Sequence, residues 1–186
     1  MQIPGLGYVE RDAQFPEWSR SAPVALPLLN GAEVTVVVSE YEDDDRKQDF
    51  EVAIANLLRC PAAVLKQAEP YIFKYYEDVN SALWTPDDPE YLVIEGPEKV
   101  WGHIRIGKET MVMRRAYGDK AVYVSFECEC DWESEHGLQI VLRSGNELVR
   151  VGSNDGQLTN SDAFGDDRLE SVIYRGSVAQ IHEQTP

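Results

Sequence analysis

The sequence predicts an α+β fold, in which a largely antiparallel β-meander sheet carries two amphipathic helices packed on one face. Apolar residues recur at helical spacing between residues 43 and 79, and they alternate with a period of two from residue 91 onward. Short connections that contain glycine join the alternating segments, and such connections force neighbouring strands to run antiparallel. A layer of helices over one sheet follows from this order of elements.

The chain of 186 residues carries a formal net charge of −16, because 33 acidic residues outnumber 17 basic ones. A surface of that sign repels phosphate backbones and anionic lipid headgroups, so nucleic-acid and membrane-surface roles are not expected. No stretch approaches the ~20 apolar residues that cross a bilayer, and the first residues lack the basic and apolar regions of a signal peptide. We expect a cytoplasmic protein without a nucleic-acid or membrane partner.

The chain is expected to form one domain with a short segment at each end. Residues 1–20 contain proline, glycine and scattered aromatic residues without a sustained period, which predicts an irregular N-terminal arm. Residues 21–176 then form a single α+β domain, and residues 177–186 form a C-terminal tail. At this length a hydrophobic core can stabilise the fold without a metal or a disulfide.

A β-hairpin is the first regular element that the sequence predicts. Asn30-Gly31 favours the positive φ angles of a tight turn, and it lies between apolar segments at residues 23–29 and 33–39. Pro27 cannot donate a hydrogen bond to a neighbouring strand. The first strand of the hairpin is therefore expected at a sheet edge.

Two helices are predicted between the hairpin and the later strands. The first begins near the acidic residues 43–45, which suit a helix N-terminus, and it presents Phe50 on an apolar face before it ends at Pro61. The second begins near Pro61 and runs to Val79, and Pro70 should kink or split it. We expect the tyrosine-rich stripe of the second helix to face the core.

The later half of the chain predicts a series of strands joined by turns that contain glycine. Their ranges are 91–94, 100–106, 110–116, 121–132, 138–143 and 147–151. Residues 152–167 are rich in Gly, Ser, Asn and Asp and predict a long ordered loop. Residues 171–175 are expected to return as a last strand.

The strand at residues 122–132 has an apolar face and an acidic face. The apolar face includes Cys128, Cys130 and Trp132 and predicts core, because three cysteines in the whole chain are too few for a paired zinc site. The acidic face sets Glu127, Glu129 and Asp131 about 7 Å apart along the strand. Such a row is usually solvated, and it can also meet a basic partner. The cysteines are expected to be free thiols.

The five residues from Glu133 to Gly137 are expected to turn the chain into the next strand. Glu133, Glu135 and His136 could supply ligands to a divalent metal, or a carboxylate could hold His136 in the tautomer of a general base. A structural turn or a partner-contact surface is the other interpretation. The spacing matches none of the familiar metalloenzyme motifs.

Two segments carry a resemblance to known proteins. Residues 128–139 have the pattern Cys-x-Cys-x-Trp-Glu-x-Glu-His-Gly-Leu-Gln, and residues 155–163 have the pattern Asp-Gly-x-Leu-Thr-Asn-x-Asp-Ala. Together they resemble a family of bacterial domains of unknown function. The resemblance implies a small cytoplasmic domain in which these two segments form one surface. It also implies that histidine often stands where this chain has Gln157, a departure that weakens a metal or acid–base role shared with His136.

The first functional hypothesis is a non-enzymatic binding module of unassigned role. One form of it is an immunity-type protein that neutralises a basic protein partner through an acidic face, because such a face steers association and supplies specificity. This hypothesis needs no cofactor and no catalytic residue. The residues predicted to contact the partner are Glu127, Glu129, Asp131, Trp132, Glu133, Glu135, His136, Gln139, Asp155 and Asp162.

The alternative hypothesis is a metal-dependent enzyme or a metal-binding domain centred on His136. Glu133 and Glu135 would be ligands or would orient the imidazole, and Asp155 or Asp162 would come from the later loop. A gathering of ionisable groups marks many active sites and also many ordinary hydrogen-bonded turns. The sequence leaves both hypotheses open.

Overall fold

The computed structural model describes residues 1–176, which combine a mostly antiparallel sheet of nine strands with several helices. The strands are β1 (Gln2–Ile3), β2 (Gly7–Arg11), β3 (Trp18–Ser21), β4 (Val24–Ala25), β5 (Glu33–Ser39), β6 (Ile104–Arg114), β7 (Val122–Cys130), β8 (Glu133–Arg143) and β9 (Glu147–Gly152). The α-helices are α1 (Lys47–Leu57), α2 (Ala63–Lys66), α3 (Glu69–Leu83) and α4 (Asn160–Phe164), and 3-10 helices lie at Pro27–Leu29, Pro97–His103 and Asp167–Leu169. The mixed α/β fold with a mostly antiparallel sheet is confirmed.

The strands follow the order β1-β2-β3-β5-β6-β7-β8-β9, and β4 pairs with β5. Every pair is antiparallel except β5–β6, which is parallel and places Thr35 beside Glu109 and Val38 beside Val112. A parallel pair needs a crossover connection, and this crossover contains α1, α2, α3 and the 3-10 helix at Pro97–His103. The predicted hairpin is present in short form, since Val24 and Ala25 pair with Val34 and Glu33.

The predicted helices form because their apolar residues recur on one side. Helix α1 buries Phe50, Ala53, Ile54 and Leu57 and contacts β6 and β7. Helix α3 contacts β9 and carries the tyrosine-rich stripe, and its buried residues are Ile72, Tyr75, Tyr76, Val79 and Asn80. Each large apolar side chain that leaves water fully contributes about 1.5–3 kcal/mol. The stripe faces the core as predicted, and Pro70 in the first turn of α3 separates α3 from α2.

The prediction of an irregular arm over residues 1–20 is wrong, because three strands lie in this region. β2 pairs with β3 and places Val9 beside Ser21, and β3 pairs with β5. Ile3 and Val9 are completely buried in the main core. Strands of two to five residues show too few alternations for a period to be recognised in the sequence. The predicted tail, residues 177–186, lies outside the described residues.

Two of the later strand predictions are also wrong, and the strand predicted at residues 100–106 is wrong in its first part. Residues 91–94 form no strand, because the side chains of Tyr76 and Asn80 bond the backbone of Leu92 and Ile94 in place of a neighbouring strand. Residues 100–103 belong to the 3-10 helix that Pro97 begins. Residues 171–175 form no strand, although the N–H of Val151 donates to the carbonyl of Ile173 at 2.8 Å.

Strand β6 joins two segments that the sequence separates. The turn predicted at residues 107–108 is a bulge within this strand, since the pairing with β7 shifts between Ile106 and Thr110. A Cβ atom on Gly107 would lie 2.8 Å from the carbonyl oxygen of Glu127, so glycine permits the close approach of the two backbones. None of the helices within residues 1–176 has the length and apolar composition needed to span a membrane.

The turn between β8 and β9 packs directly on α1, and this contact predicts the effect of one substitution. Gly145 has a φ of +82°, and a Cβ atom there would overlap the carbonyl oxygen of Ala53. Gly145→Ala should therefore lower the free energy of unfolding by at least about 2 kcal/mol, from backbone strain and steric overlap together. Urea denaturation monitored by circular dichroism measures this loss.

Gly156→Ala is the matched control for this prediction. Gly156 has a φ of +77°, but no atom lies within 4 Å of its Cβ position, so only the backbone strain of about 1–2 kcal/mol remains. Equal losses in the two variants would contradict the packing contact between Gly145 and α1.

Candidate functional site

The hairpin of β7 and β8 positions most of the residues that the sequence singles out. Cys130 pairs with Glu133, so the chain reverses at residues 131–132 and not over residues 133–137 as predicted. The next pair joins Cys128 to Leu138, and the residues between Glu133 and Leu138 bulge out of β8. Leu138 lies on the apolar face of the hairpin whether residues 133–137 form a turn or a bulge. The sequence pattern therefore does not show where the chain reverses.

Gly137 permits the bulge in β8. Its φ is +70°, and a Cβ atom there would lie 2.5 Å from the carbonyl oxygen of Cys128. The carbonyl oxygen of Gly137 accepts a hydrogen bond from the hydroxyl of Tyr75 on α3 at 2.9 Å. The bulge is therefore fixed from both sides, by the backbone of β7 and by the core helix.

The acidic row on β7 is exposed, and part of it is neutralised by β6. Arg105 donates from Nε to Glu129 Oε2 at 3.0 Å and from Nη1 to Asp131 Oδ1 at 2.8 Å. His103 Nδ1 lies 3.1 Å from Asp131 Oδ2. The hydrogen bond from Arg105 holds the pKa of Asp131 below its usual value, and His103 acts in the same direction. The ion pairs of the described residues do not include Glu127.

Glu133 organises the bulge through its carboxylate. Its Oε1 accepts hydrogen bonds from the backbone N–H groups of Glu135 at 2.8 Å and His136 at 3.2 Å. Its Oε2 lies 3.5 Å from His136 Nδ1. The side chains of Glu135 and His136 are exposed. Glu133 thus holds the loop backbone, and it leaves Glu135 and His136 directed to solvent.

A groove of about 450 Å³ lies along this end of the hairpin. Its acidic lining comes from Glu127, Glu129, Glu133 and Glu135, and Arg105 is the basic side chain that lines it. Across residues 1–176 we find no group of three or more His, Cys, Asp or Glu side chains that could hold a metal ion. The groove therefore presents a largely acidic lining.

Two of the predicted contact residues on this hairpin are buried. Trp132 is 4% exposed and packs edge-to-face on Tyr75 and Tyr76, with ring centroids 6.2 and 5.9 Å away. Gln139 is 2% exposed, and its Nε2 donates to Ser125 Oγ at 2.8 Å. Both side chains are therefore structural in this conformation, where they cannot touch a partner.

The cysteines are buried free thiols, as the sequence predicts. Burial raises the pKa of Cys128 and of Cys130 to about 12 in each case. Thiolates of either residue are therefore scarce at neutral pH, and neither cysteine is activated as a nucleophile in this environment.

Arg150 is a buried charged residue whose structural role the sequence does not reveal. It is 3% exposed on β9, and its guanidinium donates to Gln139 Oε1, to Asp155 Oδ2 at 2.7 Å and to the carbonyl of Gln157 at 3.0 Å. Desolvation lowers its pKa, and the charge of Asp155 opposes that shift. The one indication of this role in the sequence is that Arg150 is a single charged residue within the apolar run 148–151. The residue ties β8 and β9 to the loop that follows.

Arg115 anchors α4, the short helix that follows this loop. It is 4% exposed, and it binds Asp162 through two hydrogen bonds, from Nε and Nη2, of 2.8 Å each. Its Nη2 also donates to Glu170 Oε2 at 2.9 Å. Asp162 is therefore engaged by Arg115 and Asp155 by Arg150. The described contacts do not bring either carboxylate to His136.

The loop after β9 covers part of the face of β7 that also carries the acidic row. Tyr123 and Ser125 are 1% and 3% exposed, and Tyr123 packs in a second apolar cluster with Val141 and Leu158. Tyr123 and Ser125 share the face of β7 that carries the acidic row, so this face is buried at its start and exposed at Glu127 and Glu129.

Comparison with known proteins gives one match. A family model described as a domain of unknown function (DUF6985) matches residues 5–158. No curated protein matches the chain, and no solved structure matches it. The matched range includes the β7–β8 hairpin and Arg150.

The network around Arg150 predicts the effect of removing its charge. Arg150→Met leaves Gln139 and the backbone of Gln157 without their donor inside the protein, and the free energy of unfolding should fall by roughly 2–4 kcal/mol. Chemical denaturation measures this change. Arg168→Met is the control, since Arg168 is 89% exposed and its pair with Asp166 is solvent-screened. A loss as small in Arg150→Met as in the control would contradict the structural role.

Proposed function

Because the chain belongs to the DUF6985 family of domains of unknown function, its role has to be inferred from its own residues, and we propose that it is a non-enzymatic binding module. The proposed partner is a basic protein. The proposed contact surface is the acidic hairpin surface, defined as Glu127, Glu129, Asp131, Glu135 and His136. An immunity-type role, in which binding neutralises the partner, is the specific form of this proposal, and we place it in the cytoplasm.

The observation that carries the proposal is the exposed carboxylate row beside a groove. The side chain of Glu129 is 79% exposed although it pairs with Arg105. Glu127 and Glu135 line the same groove without an ion pair among the described residues. Unpaired carboxylates on a concave surface attract a cationic group at long range and can pair with it on contact.

The rigidity of the surface supports the same proposal. The bulge in β8 is held by Glu133 through the backbone of Glu135 and His136, and by Tyr75 through the carbonyl of Gly137. A surface that is ordered before binding loses less conformational entropy when the partner arrives. The core position of Trp132 behind the turn adds to this order.

The metal-dependent alternative has one contact in its favour, the approach of Glu133 to His136 at 3.5 Å. The same carboxylate already accepts two backbone hydrogen bonds, and Asp155 and Asp162 bind arginines. A divalent site would need further ligands from outside these contacts. We therefore do not propose this function.

Neutralising the acidic hairpin surface should weaken binding of a cationic probe. In the variant Glu127→Gln/Glu129→Gln/Glu135→Gln, the affinity for a decalysine peptide should fall by about tenfold at low ionic strength, because three exposed charge pairs are worth about 0.5 kcal/mol each. Isothermal titration calorimetry measures the affinity. Higher salt should reduce the difference between the variant and the unmodified protein.

The control variant is Glu77→Gln/Asp87→Asn/Glu90→Gln, which changes the net charge by the same amount at three exposed acids elsewhere. Its affinity for decalysine should fall by less than about twofold, because distant charges act only through the screened overall field. If both variants lost the same affinity, the peptide would be responding to net charge, and the hairpin would have no special role.

A further inference from the structure

A second cavity, of about 470 Å³, lies where β5 and β6 separate. Their parallel pairing extends from Val38 back to Thr35, whose partner Glu109 lies within the irregular stretch of β6 between Ile106 and Thr110. If the same register continued, the next pair would be Val34 and Lys108. Both residues instead line the cavity. The gap is therefore a consequence of the bulge, and its volume is within the range of small-molecule sites.

The walls of the cavity are apolar and come from four separate segments. Leu28, Val34, Leu65 and Ile106 supply aliphatic side chains, and Trp101 supplies an aromatic wall. The only polar atom of the indole is already engaged, since Trp101 Nε1 donates to Glu69 Oε1 at 2.8 Å. The interior thus favours a hydrocarbon chain, which gains free energy when it leaves water.

The rim of the cavity carries two lysines in a chain whose net charge is −16. Lys66 and Lys108 are exposed, and the ion pairs of the described residues include neither of them. Of the two acids at the rim, Glu69 is bound to Trp101, and Glu33 is exposed at the start of β5. Flexible lysine side chains can place their ammonium groups over an apolar opening.

We propose that this cavity binds a medium-chain aliphatic carboxylate. The hydrocarbon chain lies between Leu65, Trp101 and Ile106, and the carboxylate is held at the rim by Lys66 and Lys108. An acyl chain in an ester shares the apolar part but lacks the charge that the lysines recognise. This cavity and the acidic hairpin surface would bind different ligands. They are neighbours, because Gly107 lines both the apolar cavity and the acidic groove.

Octanoate is the probe for this proposal, with isothermal titration calorimetry of the intact protein as the measurement. Octanoate should bind saturably, about tenfold more tightly than methyl octanoate, octan-1-ol or octylammonium. No saturable binding of octanoate at millimolar concentration would overturn the proposal. Equal affinity for the uncharged compounds would overturn the role of the lysines.

Two double variants test the rim. Lys66→Gln/Lys108→Gln should weaken octanoate binding by about tenfold and leave octan-1-ol binding unchanged. Lys74→Gln/Lys99→Gln removes the same charge from exposed positions outside the cavity and should bind octanoate as the unmodified protein does. Equal octanoate affinity in the two variants would overturn the assignment of the lysines.

A third variant tests the interior. Ala62 lines the cavity at a half-buried position, so Ala62→Phe should fill it and remove binding of octanoate and octan-1-ol together. Unchanged affinity for octanoate in a folded Ala62→Phe protein would show that the ligand binds elsewhere. The thermal melting curve verifies that each variant is folded.

Discussion

Two guanidinium groups are buried on one face of the sheet, and the rest of the structure depends on how they are paired. Arg150 and Arg115 are 3% and 4% exposed, and a cation taken out of water without partners costs several kcal/mol. Asp155, in the loop after β9, and Asp162, in the helix α4 that follows it, provide the countercharges. The loop therefore has to lie on the sheet, and it covers the part of that face around Tyr123. What it leaves uncovered is the acidic end of the β7–β8 hairpin.

The bulge in β6 lies between the acidic groove and the apolar cavity. Gly107 lines both the acidic groove and the apolar cavity. On one side Arg105 meets the carboxylates of β7, and on the other Ile106 faces the apolar walls. Neighbouring residues of a strand point to opposite faces, and the bulge changes this alternation within three residues. The bulge in β6 thus contributes to the lining of both candidate sites.

The sequence predicts those features whose signal is local. Helix α1 follows from the spacing of Phe50, Ile54 and Leu57, the break before α3 follows from Pro70, and the acidic row of β7 follows from strict alternation. The features it missed depend on distant contacts. Residues 91–94 are a short apolar run typical of a strand, but Tyr76 and Asn80 bond their backbone.

The candidate site was predictable only in part for the same reason. The exposure of Glu127, Glu129 and Asp131 follows from the period of the strand. The burial of Gln139 and the roles of Asp155 and Asp162 follow from Arg150 and Arg115, whose pairing joins residues on different elements. A polar residue at a buried strand position indicates that a partner exists, but its sequence position does not identify that partner.

The parallel pair of β5 and β6 has a consequence for how the chain folds as it is synthesised. Val36 to Val38 are completely or almost completely buried, and their partners on β6 lie beyond the whole helical crossover. At about 5–20 residues per second, several seconds pass between the emergence of β5 and that of β6. In that interval β5 has pairing partners in β3 and β4 on one edge, while its other edge is open. A valine-rich strand with an unpaired edge is a site of intermolecular pairing, so the nascent chain is most prone to aggregate before β6 is made.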